Sequence, residues 1–321
     1  MLRLALALVG ALGLGACGLV RPEGSATATT TGGDDSSTTD ATTGAQGPTV
    51  TIATFNVRRF FDTVCQSGKC GPDDYEEAPS EAAFAARSDQ IAQAIAELEA
   101  DVVLLEEIED QACVDALTAR LDGIVSAHIG ELGFAASLDT VVLARLPTVA
   151  VVSHASETFP RTDGGTTSFT RDLLEVHLDL DGHRVIVFAA HFRSKVDDDP
   201  GRREAEGRRA GEIMAIRAAE YPSALIVLGG DLNDTPGSPP LIALAGAAKV
   251  LRVASDLEDD ATYVFSGVPQ AIDHLFLAED ATGGAYVAGS AKVFRTLEQW
   301  GWDGWGGSDH AALRASFRVG L

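Results

Sequence analysis

The chain has 321 residues, 45% of them hydrophobic and 22% charged, with 24 Lys and Arg against 47 Asp and Glu and a formal net charge of −23. That apolar fraction is ample for a sizeable core and excludes a chain disordered throughout. The charge excludes tight, nonspecific nucleic-acid binding over the general surface, although a bound divalent cation can reverse the potential locally.

In chain order, the first segment is read as lying outside the fold. "MLRLALALVGALGLGAC" sets Arg3 ahead of an apolar run from Leu4 to Ala16, shorter than the roughly 20 residues that span a bilayer and suited to the apolar region of a signal peptide. Its end, Leu14-Gly15-Ala16-Cys17, resembles the lipobox of bacterial lipoproteins, which implies cleavage before Cys17 and a lipid anchor on that residue; an ordinary secretory signal is the alternative. Residues 18–48 are read as a tether, because Glu23 to Gly47 is rich in Ser, Thr and Gly with nothing apolar enough to bury. Its reach is roughly 25–30 Å. Residues 49–321 carry no comparable break and no repeat, so one domain is expected, extracytoplasmic, monomeric and held near a membrane.

Three cysteines remain beyond Cys17. Cys65 and Cys70 in "CQSGKC" read as a small loop disulfide with Cys113 free, and either could instead pair with Cys113. Strand-like and helical segments then alternate. "TVTIATFNV" is a buried strand, Ser80 caps a helix with Phe84, Ile91, Ile95 and Leu98 on one face, and "DVVLLEEIE" is a second strand. "TVVLARLPTVAVV" gives a third and a fourth strand split at Pro147. "SFTRDLLEVHLDLDGHRVIVFAAHF" reads as a hairpin turning at Asp181-Gly182, followed by a helix from about Arg202 to Glu220. "ALIVLGGDLND", "AIDHLFLAED" and "HAALRASFRV" supply further strands, and the mixture points to an α/β sandwich.

The strands share a chemical vocabulary where they end. Asn56 follows "ATF", Glu107 follows "VVLLE", His191 follows "VIVFAA", Asp231 and Asn233 follow "LIVLGG", Asp273 follows "QAI", and Asp309-His310 precede the last strand. One polar strand exit is usually a turn former or a cap. Many together suggest a site: carboxylates and amides suit a hard cation such as Mg²⁺ or Mn²⁺, and a His beside an acid supplies proton transfer. This is equipment for metal-assisted hydrolysis of a phosphate ester. The glycines of "LGGDLND" read as the point where the backbone turns.

In order, "TFNVRRFFD", "DVVLLEEIE", "TRDLLEVHL", "AAHFRSK", "LGGDLNDTP", "AIDHLFL" and "GGSDHAAL" resemble the endonuclease/exonuclease/phosphatase superfamily, and "HFRSK" with its Arg-rich sequel is most similar to the bacterial extracellular nuclease branch. The resemblance implies a four-layer sandwich of two mixed β-sheets packed face to face, with helices outside and the site at one end of the sheets. It also implies roles. Glu107 binds the metal, assisted by Asn56; Asp231 orients or deprotonates the attacking water; Asn233 holds a phosphate oxygen. His310, oriented by Asp309, is the other candidate base, His191 donates to the phosphate or leaving group, Arg171 supports the set, and Asp273 stands behind it. Glu106 takes the place of a common Gln, so Glu106 and Glu107 exchange roles if the register is off by one. No carboxylate partner for His191 is placed.

The implied activity is that of a metal-dependent phosphodiester hydrolase, with nucleic acid as its substrate. The alternatives are a phospholipid, sphingomyelin or phosphoinositide phosphoesterase of the same fold, and a non-catalytic surface binding lipoprotein. Other features carry readings of their own. Trp300, Trp302 and Trp305 form either a substrate wall or a loop pinned by its own aromatics. Arg202, Arg203, Arg208 and Arg209 read as a solvated face, with Glu204 and Glu206 at helical spacing to Arg208 and Arg209. Asp197 to Asp199 read as a solvated loop, and His274 as a structural histidine.

Overall fold

The computed structural model describes residues 47–296 and 304–321. The expected signal segment with Cys17, nearly all of the tether, and Trp300 and Trp302 lie outside the described residues. The chain begins with β1 (Thr49–Phe60), α1 (Glu81–Glu97), β2 (Val102–Ile108), α2 (Gln111–Thr118), β3 (Ser126–Ile129) and β4 (Asp139–Ala144). It continues through β5 (Thr148–Ser153), the short β6 (Phe159–Pro160) and β7 (Thr166–Thr167), β8 (Leu174–Leu180), β9 (His183–His191), α3 (Pro200–Glu220) and β10 (Leu225–Asp231). The last part holds α4 (Pro239–Ala247), β11 (Val250–Arg252), β12 (Tyr263–Phe265), β13 (Val268–Gln270), β14 (Asp273–Ala278), β15 (Gly284–Tyr286), β16 (Lys292–Phe294) and β17 (Ala312–Val319).

Two mixed sheets result. One runs β15-β17-β1-β2-β4-β3, with β16 also on β17, and the other runs β11-β14-β10-β9-β8-β5. Each has a parallel pair at its centre, β1 with β2 and β9 with β10, flanked by antiparallel strands.

The period-2 alternation of these strands builds the layers. Val50, Ile52, Val102 and Leu104 from the first sheet meet Val185, Val187, Leu225, Val227 and Leu275 from the second in one apolar layer. The alternate residues point outward. Ala53, Phe55, Val103 and Leu105 pack on Ile91, Ile95, Val114 and Leu117 of α1 and α2, while Ile186, Phe188, Ile226 and Leu228 pack on Ile213, Met214 and Leu244 of α3 and α4. This is the expected four-layer sandwich.

The inward stripes also fix the site. Followed along each strand they read Val50, Ile52, Thr54, Asn56; Val102, Leu104, Glu106; Val185, Val187, Ala189, His191; and Leu225, Val227, Gly229, Asp231. The antiparallel β14 contributes its start, Asp273, ahead of Leu275 and Leu277. Each stripe is apolar between the sheets and turns polar at the same end, where the layer opens.

Some readings are corrected and others hold. Gly229 and Gly230 lie within β10, not in a turn. A Cβ on Gly229 would stand 2.5 Å from Leu275 Cδ2 and 2.7 Å from Leu104 Cδ1, and one on Gly230, at φ 151°, would stand 1.8 Å from the Ala190 carbonyl oxygen. They are glycines because the sheets and the neighbouring strand approach too closely for a side chain. The chain turns later, at Asn233 with φ 54°. Arg208 and Arg209 do not pair with Glu204 and Glu206: Arg209 bonds Glu157 and Glu212, and Glu206 is fully buried, accepting from Thr170 and from the Arg193 backbone. Asp198 and Asp199 bind Arg203 and Arg161, and Asp199 caps α3. Cys65 and Cys70 form the disulfide, and Cys113 is free and buried. Trp305 packs on Phe55 and Phe294, with ring centroids 5.0 Å and 5.6 Å away, so this half-buried tryptophan is pinned against the core.

Candidate active site

At the polar end, Asn56 joins the two sheets. Its side-chain Nδ2 donates to Glu107 Oε1 at 3.2 Å and to Asp231 Oδ2 at 3.1 Å, while its Oδ1 accepts the Arg58 backbone N–H at 2.9 Å. Asn56 therefore holds two carboxylates in place, and its carbonyl oxygen, the atom expected to help hold a metal, is already engaged. Its own backbone carbonyl accepts from Ser308 Oγ at 2.7 Å, and the same hydroxyl accepts the His310 N–H at 3.0 Å. Ser308 was not singled out from the sequence.

Glu106 and Glu107 take separate places. Glu106 follows the inward stripe, is fully buried, and accepts from Thr54 Oγ1 at 2.9 Å, leaving Oε2 with no hydrogen-bond partner among the described residues. Alternation alone would send Glu107 to the helix side. Instead β2 bulges between Glu106 and Ile108, and Glu107 adopts a left-handed φ of 67°, which swings its half-buried carboxylate into the site. There Oε2 accepts the Arg59 N–H at 2.8 Å. β1 bulges beside it, with Arg58 and Arg59 at φ 59° and 46°. Such conformations cost about 1–3 kcal/mol each and persist where the surroundings impose them.

The second sheet supplies His191, Asp231 and Asp273. Asp231 Oδ1 accepts the Asn233 N–H at 2.8 Å, and Oδ2 lies 3.7 Å from His191 Nε2 and 3.9 Å from His310 Nε2. Asn233 donates from Nδ2 to the Phe192 carbonyl at 3.1 Å. The partner of His310 differs from the expected one: its Nδ1 faces Asp273, at 2.9 Å and 3.2 Å from the two carboxylate oxygens, whereas Asp309 lies 3.9 Å from Arg58. Asp273 reaches His310 because β14 pairs with β10 and sets Asp273 directly opposite Asp231. Tyr263 lies against the imidazole at 4.8 Å between ring centroids. Neither this ring nor Asp273 as the partner could be found from spacing, since both are distant in sequence.

The two histidines are driven apart. Burial, then the charges of Arg171 and His310, push His191 well below the ordinary histidine range, so its imidazole is neutral; its Nδ1 has no partner among the described residues. Burial acts on His310 in the same direction, but the charge and hydrogen bond of Asp273, with Asp231 and Asp309, override it and raise His310 well above that range. Asp231 is pushed up to about 7 by burial and then by Asp273, and Glu106 is raised well above the carboxylate range by the same two causes. Arg171 Nη1 is buried without a hydrogen-bond partner among the described residues. Asp139 at the start of β4, another residue the sequence reading passed over, is raised to about 6 by burial.

Carboxylates outnumber cations here, and they offer hard oxygen donors of the kind Mg²⁺ and Mn²⁺ prefer. Asn56 holds the half-buried Glu107 carboxylate beside that of Asp231, so two oxygen donors from different sheets stand together. The residues present fit such a cation.

A model of the Endonuclease/Exonuclease/phosphatase family matches residues 53–310. Among solved structures, D. rerio TDP2 complexed with single strand DNA product is similar with a TM-score of 0.58 and 18% identity over 84% of this chain and 98% of that one. A beta toxin mutant from Staphylococcus aureus with bound magnesium ions is similar with a TM-score of 0.56 and 16% identity over 84% and 99%. These likenesses show the fold. A curated protein, the tRNA modification GTPase MnmE of Rhodopseudomonas palustris (strain BisB18), is 36% identical over 138 residues, 42% of this chain, and the match spans 27% of that protein's length. The Gly-Lys-Ser/Thr phosphate loop that many nucleotide hydrolases use does not occur in this sequence.

Proposed function

The chain belongs to the endonuclease/exonuclease/phosphatase family, and within it we propose a divalent-metal-dependent phosphodiesterase that cleaves nucleic acid, exported in the manner of the extracellular nuclease branch and held to a bacterial membrane by lipid on Cys17. Residues 1–17 would be the signal, 18–48 the tether and 49–321 the catalytic domain, working as a monomer. The observation that carries the activity is the convergence of Asn56, Glu107, His191, Asp231, Asn233 and the His310–Asp273 pair where the inward stripes end.

Glu107 would hold the cation, with Asn56 fixing its carboxylate from the side. Bound there, Mg²⁺ or Mn²⁺ supplies Lewis-acid neutralisation of a phosphoryl oxygen. Asp231, raised to about 7, is matched to accept a proton from water near neutral pH. With Asp273 keeping His310 charged, the imidazolium serves as an electrostatic partner to the phosphate and leaves the base role to Asp231. Neutral His191 retains an N–H for the phosphate or the departing oxygen, with Arg171 beside it, and Asn233 has a second amide hydrogen for a phosphate oxygen.

Nucleic acid is favoured over a lipid head group because the TDP2 neighbour was solved with a DNA product and because arginines gather beside the site despite the net charge of −23. The test is turnover of the full chain on single-stranded and plasmid DNA and on sphingomyelin vesicles, in Mg²⁺ and in EDTA. Metal-dependent DNA cleavage with inert vesicles is the expected result; the reverse pattern would replace nucleic acid with the lipid.

A further inference from the structure

Next to the site is a cavity of ≈ 290 Å³ whose wall includes Arg58, Arg59, Arg87, Phe61, Glu77 and Gly307. Arg87 braces it, donating to the carbonyls of Gly306 and Val57. Arg59 stands differently. Its closest acid, Glu77, is 3.6 Å away and mostly exposed, and its buried Nε has no hydrogen-bond partner among the described residues. Its guanidinium bonds the Tyr75 carbonyl and lies 4.9 Å from the centre of the Tyr75 ring.

Tyr75 is 55% exposed, standing edge-on to Phe61 at 5.9 Å. Arg59 ties it to the mouth of the site, since its guanidinium holds the Tyr75 carbonyl while its backbone N–H bonds Glu107. The next residue, Glu76, ties this segment to the loop that the Cys65–Cys70 disulfide closes, accepting the N–H groups of Gln66 and Ser67. The left-handed bend at Arg58 and Arg59 sends their backbone N–H groups to Asn56 and Glu107. One bend thus sets the expected metal carboxylate and the basic wall together.

We infer that Arg59 and Tyr75 form a subsite for the nucleotide next to the scissile bond, Arg59 taking its phosphate and the exposed Tyr75 ring stacking on its base. The subsite rests on the nuclease reading and sharpens it. A stacked base must be unpaired, so the substrate is single-stranded or locally opened nucleic acid. A head group with one phosphodiester has no second phosphate for Arg59.

The experiment compares full-length protein with Arg59→Gln and Tyr75→Leu on a short single-stranded oligodeoxynucleotide and on bis(p-nitrophenyl) phosphate, which has no neighbouring phosphate, over a range of salt. Each variant is expected to raise the oligonucleotide KM about tenfold, with kcat held. Arg59→Gln should also flatten the logarithmic salt dependence by about 0.7, the share of one phosphate contact, and Tyr75→Leu should not. Unchanged KM and salt slope in variants of a protein that cleaves the oligonucleotide would overturn the subsite and leave the nuclease reading standing. Equal losses on both substrates would overturn it too, since the damage would then be to the site itself. Cleavage of sphingomyelin vesicles without cleavage of the oligonucleotide would remove the nuclease reading, and the subsite with it.

Discussion

The two sheets repeat one wiring: β17, β1, β2, β4 in the first and β14, β10, β9, β8 in the second, each around a parallel pair. Their exits differ. The first sheet leaves by broken backbone, with Arg58, Arg59 and Glu107 at positive φ, and delivers a fixed carboxylate and amide. The second leaves by regular strand as far as Asp231 and delivers Asp231 and His191, with Asp273 opposite Asp231 and bonded to His310. The two halves share one wiring and reach the site by different routes, one through three residues at positive φ and the other through regular strand.

The largest effect that would break this comparison is at the bulge. Glu107→Gln is expected to lower kcat by about a thousandfold or more, whereas the adjacent Glu106→Gln should stay within a few fold of wild type, because burial already holds Glu106 neutral. Steady-state kinetics on one phosphodiester substrate decide it, and equal losses would show that the bulge does not separate them.

Next is the close approach in the second sheet. Gly230→Ala puts a Cβ against the Ala190 carbonyl and should cost about 3 kcal/mol or more in urea unfolding, while Gly229→Ala, whose closest contacts are leucine methyl groups, should cost about 1–3 kcal/mol. The reverse order would mean that strand spacing does not dictate these glycines.

Asp273→Asn should reduce kcat by about tenfold to a hundredfold and move the alkaline limb of the pH–rate profile to lower pH. The sign follows from His310: its pKa is raised, so the charged form is lost as pH rises, and removing Asp273 brings that loss earlier. Asp309→Asn should move the limb the same way but by less, since Asp309 raises His310 less than Asp273 does.

The smallest effect concerns stability without metal. A histidine with a raised folded pKa stabilises fully below its unfolded value of about 6.5, and that contribution is lost as pH rises through the folded value. The Tm in EDTA should therefore fall as pH rises above about 6.5, and Mg²⁺ should restore more at the alkaline end. A flat Tm in EDTA would contradict the charged state of His310.

The parts of the site carried by regular strands were legible in the sequence, since Asn56, His191 and Asp231 extend an apolar alternation by one more inward step. Glu107 was legible as a polar strand exit, but its metal role came only through a family resemblance, with its neighbour as a rival, because a one-residue bulge erases the alternation that would separate them. The partner of His310 was misread: adjacency favoured Asp309, and the register between β10 and β14 brings Asp273 across 37 residues instead. The opening at "LGGDLND" was read as a turn because glycine usually marks one, and the crowding by Ala190, Leu104 and Leu275 exists only in the folded sheets. α4 was passed over because its paired prolines, Pro239 and Pro240, sit at the first helical turn, where proline is tolerated.

The most direct measurement is nicking of supercoiled plasmid by the purified full chain in Mg²⁺ and in EDTA, with His310→Ala prepared in parallel. The expected result is nicking by the wild type in Mg²⁺ alone, reduced at least about a hundredfold in the variant. Equal nicking by the folded variant, or nicking that survives EDTA, would contradict a metal-dependent phosphodiesterase built where the two sheets end.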